Sequence, residues 1–487
     1  MVATPALVPN WIGGRELEAA DGGSFVKLNP HDGREICRVA RSRTPDVRSA
    51  VEAAASAFAV WSGETAVRRG EILYAVADAM TRRRQDLADV VALETGKSPA
   101  SARGETDGAI ALGRFMAGEG QRMYGRTTTS GTPSRYAALV RQPIGVAGLI
   151  IAANTPIANV AWKVFPALIC GNAAVLKAAE DTPLTAWLFA AIAHEAGVPP
   201  GTLNVVQGLG AEAGEPLVGH PDVGVLSFTG STNVGRRIAQ VAGARLARVS
   251  LELGGKNPFV VADDADLDAA LRWAVLSAFS NAGQRCAAGS RIIVFDAVYD
   301  RFRDALVRRA RSLRVGPRDG DDYGPVINLR QLENMLGCLD AARDGGATLL
   351  TGGQRLTDDD HRHGFYLAPT LLEADPDAAI SSTELFGPVA TLYRVPDFEA
   401  ALALANRSPY GLTACIHTAS VHRATEFAHR VQAGVAVVNG GTFGSEPHMP
   451  FGGVKASGNG SREPGTEALD VYSSLKNILV QTDPTRL

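Results

Sequence analysis

Cysteine is scarce in this chain. Its five thiols in 487 residues (Cys37, Cys170, Cys286, Cys338 and Cys415) are odd in number and widely spaced. That argues against a disulfide framework and for a reducing compartment. Neither sign of charge prevails, since 48 Lys and Arg stand against 51 Asp and Glu, a net charge of −3. Without a basic surplus there is no electrostatic footprint for nucleic acid or for an anionic membrane surface. Long apolar runs are missing too, and the longest, residues 145–153, is far too short to cross a bilayer. Residues 1–13 lack the basic segment and apolar run of a signal peptide. The expectation is a soluble, cytoplasmic protein.

What is present is an ordinary globular composition, 46 % hydrophobic and 20 % charged, in a chain too long for one core. Two or three domains are expected. Residues 46–118 read as helical: Asp46 is a candidate cap, and Val47, Val51 and Ala54 recur at helix spacing. The cluster Arg82-Arg83-Arg84 reads as a solvated helix face. Residues 127–133 read as a polar turn and 136–140 as a strand, together a β-ribbon suited to subunit contacts.

From residue 145 onward strands and helices alternate. Apolar runs at 146–152, 173–177, 202–206, 223–228 and 248–251 are separated by helical stretches. This rhythm predicts a parallel, doubly wound sheet with ligands beyond the carboxyl ends of its strands. A second α/β run begins at Pro258 and continues to Val438. Asp358-Asp359-Asp360 with His361 and His363 reads as a solvated loop rather than a metal site, and no other metal-ligand cluster stands out. Residues 471–481 form a final strand or helix whose partner must lie elsewhere in the chain or in another subunit.

The chemistry concentrates at the ends of the predicted strands. Glu252-Leu253-Gly254-Gly255-Lys256 sets a carboxylate beside a tight backbone, and Gly283-Gln284-Arg285-Cys286-Ala287-Ala288 presents a thiol among small neighbours. The two suit a sulfur nucleophile and a carboxylate base, or a buried Cys and a surface Glu. Asn154, in Ala153-Asn154-Thr155-Pro156, can donate to a developing oxyanion or serve as a helix cap. Lys177 and Glu180 can bind the two hydroxyls of a ribose or form a surface ion pair. Phe228-Thr229-Gly230-Ser231 opens a helix where a phosphate fits. Gly208-Leu209-Gly210-Ala211-Glu212-Ala213-Gly214 nearly matches a dinucleotide fingerprint, its last Gly one place late.

Together, and in this order, these motifs resemble the NAD(P)-dependent aldehyde dehydrogenase superfamily over essentially the whole chain. Glu384-Leu385-Phe386-Gly387-Pro388, residues 406–412 and residues 450–458 continue the likeness. The aromatic neighbours usual beside the oxyanion Asn are missing here, and Ala178 replaces a common Pro. The resemblance implies an α/β fold with a Rossmann-like NAD-binding domain (residues 1–124 and 142–253, with a return near 438–468). It adds an α/β catalytic domain (254–437) and a small β oligomerisation arm (125–141 and 469–487).

It further implies Cys286 as nucleophile, Glu252 as general base and Asn154 as oxyanion donor, acting on a small-molecule aldehyde. Lys177, Glu180, Gly210, Phe228, Gly230, Ser231, Glu384 and Phe386 are its cofactor contacts. Glu180 favours NAD, with NADP possible, because a carboxylate that accepts a 2′-hydroxyl repels a 2′-phosphate. Glu463 aligns with a second glutamate that relays protons in some members, although its surroundings depart from the pattern. A homodimer or homotetramer is implied. Retention of Glu252 favours hydrolysis over acyl transfer to coenzyme A; a CoA-acylating or NADP-preferring enzyme, or a catalytically silent scaffold, is the alternative. Arg285 either faces the substrate, where it would pair with a distal carboxylate, or turns inward to hold its loop. Phe443 and His448, in the loop 440–450, are expected to set the tunnel width.

Overall fold

Five short apolar strands run parallel through the first sheet, in the order Arg248–Glu252, Val223–Thr229, Val146–Ile150, Ala173–Lys177 and Leu203–Val206. A hairpin of Asn10–Ile12 and Arg15–Leu17 adds two antiparallel strands at one edge. Ala173–Lys177 and Leu203–Val206 are buried at every residue, as strands covered by helices on both faces must be. The order reverses beside Val146–Ile150, since the chain first builds outward on one side and then returns to add Val223–Thr229 on the other. The two loops leaving these neighbouring strands carry Asn154 and Gly230, and such a reversal opens a ligand crevice.

This computed structural model describes residues 4–486; residues 1–3 and 487, the outer ends of the expected 1–124 and 469–487 segments, lie outside the described residues. The second sheet has the order Thr348–Thr351, Thr370–Glu373, Val389–Val395, Arg291–Phe295, Pro258–Val261, Thr413–His417 and Val435–Val438. Only its first pair is antiparallel. Each sheet has its own apolar core. After leaving the second sheet the chain returns to the first: Leu253 N–H donates to Ser457 O, and Glu463 packs against Ser227 and Ser250.

The arm is a three-stranded sheet in which Ser473–Gln481 pairs with Arg135–Pro143 at nine positions, from Ser473↔Pro143 to Gln481↔Arg135. Of the two alternatives for residues 471–481, the segment takes the strand, Ser473–Gln481, which follows a short helix Ala468–Tyr472.

Four details differ from the sequence reading. Asp46 does not stand at the N-cap of Thr44–Gly63 but one turn inside, where its carboxylate accepts from Arg43 N–H (2.9 Å) and from Ala20 N–H (2.7 Å). Thr127 and Thr128 extend the arm strand Arg126–Thr128 rather than the turn. Within the cluster 358–363 the Asp residues are exposed, yet His361 turns inward between Asp358 and the Val315 carbonyl. Within the second α/β run, residues 314–387 carry no clear sequence pattern, but hold the helices Leu329–Asp344 and Ala379–Ser382 and two strands of the second sheet. The longer helix buries only Leu332, Met335 and Leu339, too narrow a stripe to stand out in the sequence.

Candidate active site

The helix Leu267–Phe279 ends in an unusual turn. Asn281, Ala282 and Gly283 all adopt left-handed backbone, with φ of 56°, 54° and 65°. Two such residues with side chains store strain that the surroundings must offset. Asn281 does part of this by donating from Nδ2 to Gln284 O (3.1 Å) and Asn154 O (3.3 Å). Gly283 is required twice over, because a Cβ there would also sit 2.0 Å from Gly387 O. The turn delivers Cys286 to the wall of a cavity of about 440 Å³.

The paired glycines of Glu252-Leu253-Gly254-Gly255 answer a second close approach. A Cβ on Gly254 would lie 2.0 Å from a Glu384 oxygen, and one on Gly255 2.4 Å from Cys286 O. Gly255 N–H donates to Glu384 Oε1 (2.9 Å), and Asn257 Nδ2 donates to Cys286 O (2.7 Å). The segments 252–256, 283–288 and 384–388 therefore share one backbone junction.

Asn154 and Cys286 face the same cavity. One hydrogen of the Asn154 amide is used by Gln284 O (3.0 Å), which leaves the other for a ligand. Among the described residues, Cys286 N–H has no hydrogen-bond acceptor. Glu252 is buried, with neither carboxylate oxygen partnered. Burial pushes its pKa well above the carboxylate range, Glu463 pushes the same way, and Lys163 and Arg462 oppose. The Cys286 thiol is pushed up to about 12 by burial and by the charges of Glu384 and Glu252, against the Ala287 N–H and Arg285. Glu252 thus lies within electrostatic reach of the thiol although it does not line the cavity.

Two buried ion pairs escaped the sequence reading. Lys163 Nζ donates to Glu463 Oε2 (2.9 Å), and Glu463 Oε1 accepts from Ser227 (2.6 Å), Ser250 (3.2 Å) and Tyr472 (3.2 Å). This network is the charged environment behind Glu252. Lys97 pairs with Glu105 and also donates to Asn154 O (2.8 Å), while Glu105 Oε1 accepts from Ile157 N–H (3.0 Å) and Ala158 N–H (3.3 Å). Lys97 and Glu105 both line the cavity. The signal was faint in each case: a Lys inside an apolar helix for Lys163, and a Lys after a helix-ending Gly for Lys97.

A second group of residues fits an adenine dinucleotide. Lys177 ends its strand buried, with burial lowering its pKa to about 8 against Glu180 and Asp181. Glu180 Oε2 accepts from Gly210 N–H (3.1 Å), and Oε1 has no hydrogen bond among the described residues, a free acceptor for a ribose hydroxyl. Gly210 opens a wide helical turn, Gly210–Gly214, so the near-fingerprint is not a strand-to-helix glycine loop. Phe228 is buried at the end of its strand, with Gly230 beside its ring. Ser231 precedes Thr232–Ala244 without a side-chain cap, which leaves that helix's first N–H groups open to an anion. Glu384 has a pKa raised to about 7, chiefly by burial, and Phe386 is held at φ 57°.

Of the three residues proposed to meet the substrate, two line the cavity and one does not. Arg285 faces it with its guanidinium 4.9 Å from the centre of the Phe443 ring. Its Nε is buried without a partner, and no ion pair reaches it among the described residues. Burial lowers its pKa, opposed by Glu105 and Cys286. The loop therefore does not depend on hydrogen bonds from the Arg285 side chain. His448 is displaced from the site: a turn closed by Met449 N–H to Glu446 O (3.0 Å) puts Glu446 and Pro447 on the cavity but His448 into a separate surface depression.

Comparison with known proteins bears on the family and the fold. The model of the aldehyde dehydrogenase family matches residues 17–478. An alpha-ketoglutaric semialdehyde dehydrogenase of Bacillus subtilis is 38 % identical over 476 residues, 97 % of this chain and 98 % of the relative. A mitochondrial benzaldehyde dehydrogenase of Antirrhinum majus is 38 % identical, covering 96 % of this chain and 88 % of its own. The crystal structure of a Staphylococcus aureus betaine aldehyde dehydrogenase in complex with NAD+ superposes with a TM-score of 0.96 at 34 % identity, covering 98 % of this chain and 95 % of that one.

Proposed function

This chain belongs to the aldehyde dehydrogenase family, and from that membership we propose that it oxidises an aldehyde to the carboxylic acid with NAD. The observation that carries the reading is the meeting of Cys286 and Asn154 on one cavity, with the buried, unpartnered carboxylate of Glu252 within electrostatic reach of the thiol. Cys286 Sγ adds to the carbonyl carbon, its proton having passed to solvent. The free Asn154 N–H and the Cys286 backbone N–H hold the oxygen as it gains charge. Bound NAD supplies the two-electron acceptor that turns the thiohemiacetal into a thioester. Glu252 then takes a proton from water, and the hydroxide released cleaves the thioester to acid and free thiol. Lys163 and Glu463 supply the buried charges against which Glu252 gains and loses that proton.

The same structure supports Lys177, Glu180, Gly210, Phe228, Gly230 and Ser231 on the adenosine and phosphate side of the cofactor, with Glu384 and Phe386 on the side nearer Cys286. Production of NADH from a panel of aldehydes tests the whole assignment. Turnover is expected in the native protein, and its loss is expected in Cys286→Ala.

For the substrate we favour an aldehyde bearing a second carboxylate. Arg285 and Lys97 set two cations in the cavity wall against Glu105, whose oxygens are already occupied by Lys97 and two backbone N–H groups. One guanidinium is left for a ligand anion; Glu446, the other carboxylate on the lining, is exposed and beside His448. The semialdehyde substrate named for the Bacillus subtilis relative points the same way. Loss of a partly buried charge pair costs about 2 kcal/mol or more, a factor of roughly 30. Arg285→Ala should lower kcat/KM for succinic semialdehyde by about that factor and leave a neutral aldehyde of similar length nearly unchanged. An equal fall for both removes the assignment.

A further inference from the structure

The corner of the molecule assigned to the adenosine ribose holds a cation that the site as described above does not use. Glu180 has two oxygens with different surroundings. Oε2 is engaged by Gly210 N–H at 3.1 Å, and Oε1, the one left for the ribose, is faced by Arg330 Nη2 at 3.8 Å. Arg330 stands in the first turn of the helix Leu329–Asp344, so it reaches the ribose corner from the element opposite the strand that carries Lys177. The approach is anchored. Asn328 caps that helix by accepting from Gln331 N–H (2.9 Å), and its Nδ2 donates to Asp181 Oδ2 (2.9 Å), next in sequence to Glu180.

The charges at this corner do not cancel. Asp181 faces Lys27 across 4.0 Å and is held by Asn328, so its negative charge is already matched. Glu212, on the turn after Gly210, is taken up by Arg41 and Arg43. That leaves Lys177 and Arg330 against Glu180 alone. A lone carboxylate at this place accepts a 2′-hydroxyl and repels a 2′-phosphate, whereas a nearby Arg accommodates the phosphate. Here both are present, and the exposed guanidinium that lies against the half-buried Glu180 can exchange it for a phosphate.

We propose that Arg330 is a specificity-determining residue that admits a 2′-phosphorylated adenosine beside Glu180, so that the protein accepts NADP as well as NAD. The inference rests on the assignment of Lys177 and Glu180 to the adenosine ribose. It predicts that Arg330 contributes to binding of the phosphorylated ribose and hardly at all to the plain one.

The test is calorimetric titration of the purified full-length protein with 5′-AMP and with adenosine 2′,5′-bisphosphate, for the native chain, Arg330→Leu and Arg330→Lys. These probes carry no nicotinamide, so the readout is independent of turnover. The native protein is expected to bind both. Arg330→Leu should weaken the bisphosphate roughly five- to tenfold and 5′-AMP less than about twofold, in keeping with one exposed charge-assisted contact; Arg330→Lys should restore most of the loss. Initial rates with NADP and NAD should move in the same proportion. Equal effects on the two probes, or binding of 5′-AMP with no binding of the bisphosphate, overturn the role of Arg330. If the native protein binds neither probe, the ribose assignment itself fails and the inference falls with it.

Discussion

Burial acts on both reacting groups in the same direction. The Cys286 thiol is pushed up to about 12, so at neutral pH it holds its proton in the ligand-free protein, and burial moves the Glu252 carboxyl upward from its usual range as well. Addition needs the thiolate and hydrolysis needs the carboxylate, and both active forms become more abundant as pH rises. Aldehyde oxidation should therefore accelerate from about pH 6 to about pH 9 instead of peaking near neutrality. A Glu252→Gln protein should release a single equivalent of NADH and then stall as the thioester. A flat pH profile, or steady turnover by Glu252→Gln, contradicts the assigned roles. At this scale the sequence was informative where a residue type is rare or its neighbours are small. Cys286 among Ala and Gly, and Glu252 before two glycines, could be singled out. Lys163, Lys97 and Glu105 could not, because a buried ion pair looks like two surface charges until distant segments are brought together. His448 failed for a similar reason, since a one-residue turn decides which side of a loop faces the cavity.

Among the elements, the strand Ser473–Gln481 presents a long unpaired edge. It lies at the margin of the arm sheet, and Leu475, Leu479 and Val480 on it are 62 %, 54 % and 50 % exposed. A long apolar edge of this kind is a pairing surface that a monomer would have to blunt. We infer that a second copy of the chain covers it, in line with the dimer or tetramer expected from the family resemblance. Sedimentation velocity should find dimers or tetramers, and Leu475→Lys with Leu479→Lys should shift them toward monomer; a native monomer at micromolar concentration contradicts this. The parallel strands were legible because burial on both faces leaves continuous apolar runs, and Ala173–Lys177 and Pro258–Val261 fall where those runs predict. Strands Thr348–Thr351 and Thr370–Glu373 were not, because each holds only two adjacent leucines between polar residues, too short an apolar run to set it apart.

At the level of the whole molecule, two seven-stranded sheets divide the site: the carboxyl ends of one supply Asn154, Lys177, Gly230 and Glu252, and the segment leading into the strand Arg291–Phe295 of the other supplies Cys286. The alternation of strands and helices implied this architecture, and the order of the motifs implied the chemistry. What no linear pattern carried was the junction where Gly254, Gly255, Cys286 and Glu384 touch, since it depends on contacts between segments more than a hundred residues apart. That junction is the physical basis for assigning the thiol and the carboxylate to one reaction. The most direct test is NADH formation by the purified protein with NAD and aliphatic, aromatic and carboxylate-bearing aldehydes, alongside Cys286→Ala. Turnover in the native protein, strongest with a semialdehyde and absent in Cys286→Ala, is the predicted result; undiminished turnover in Cys286→Ala, or silence of the folded native protein across the panel with both NAD and NADP, would contradict it.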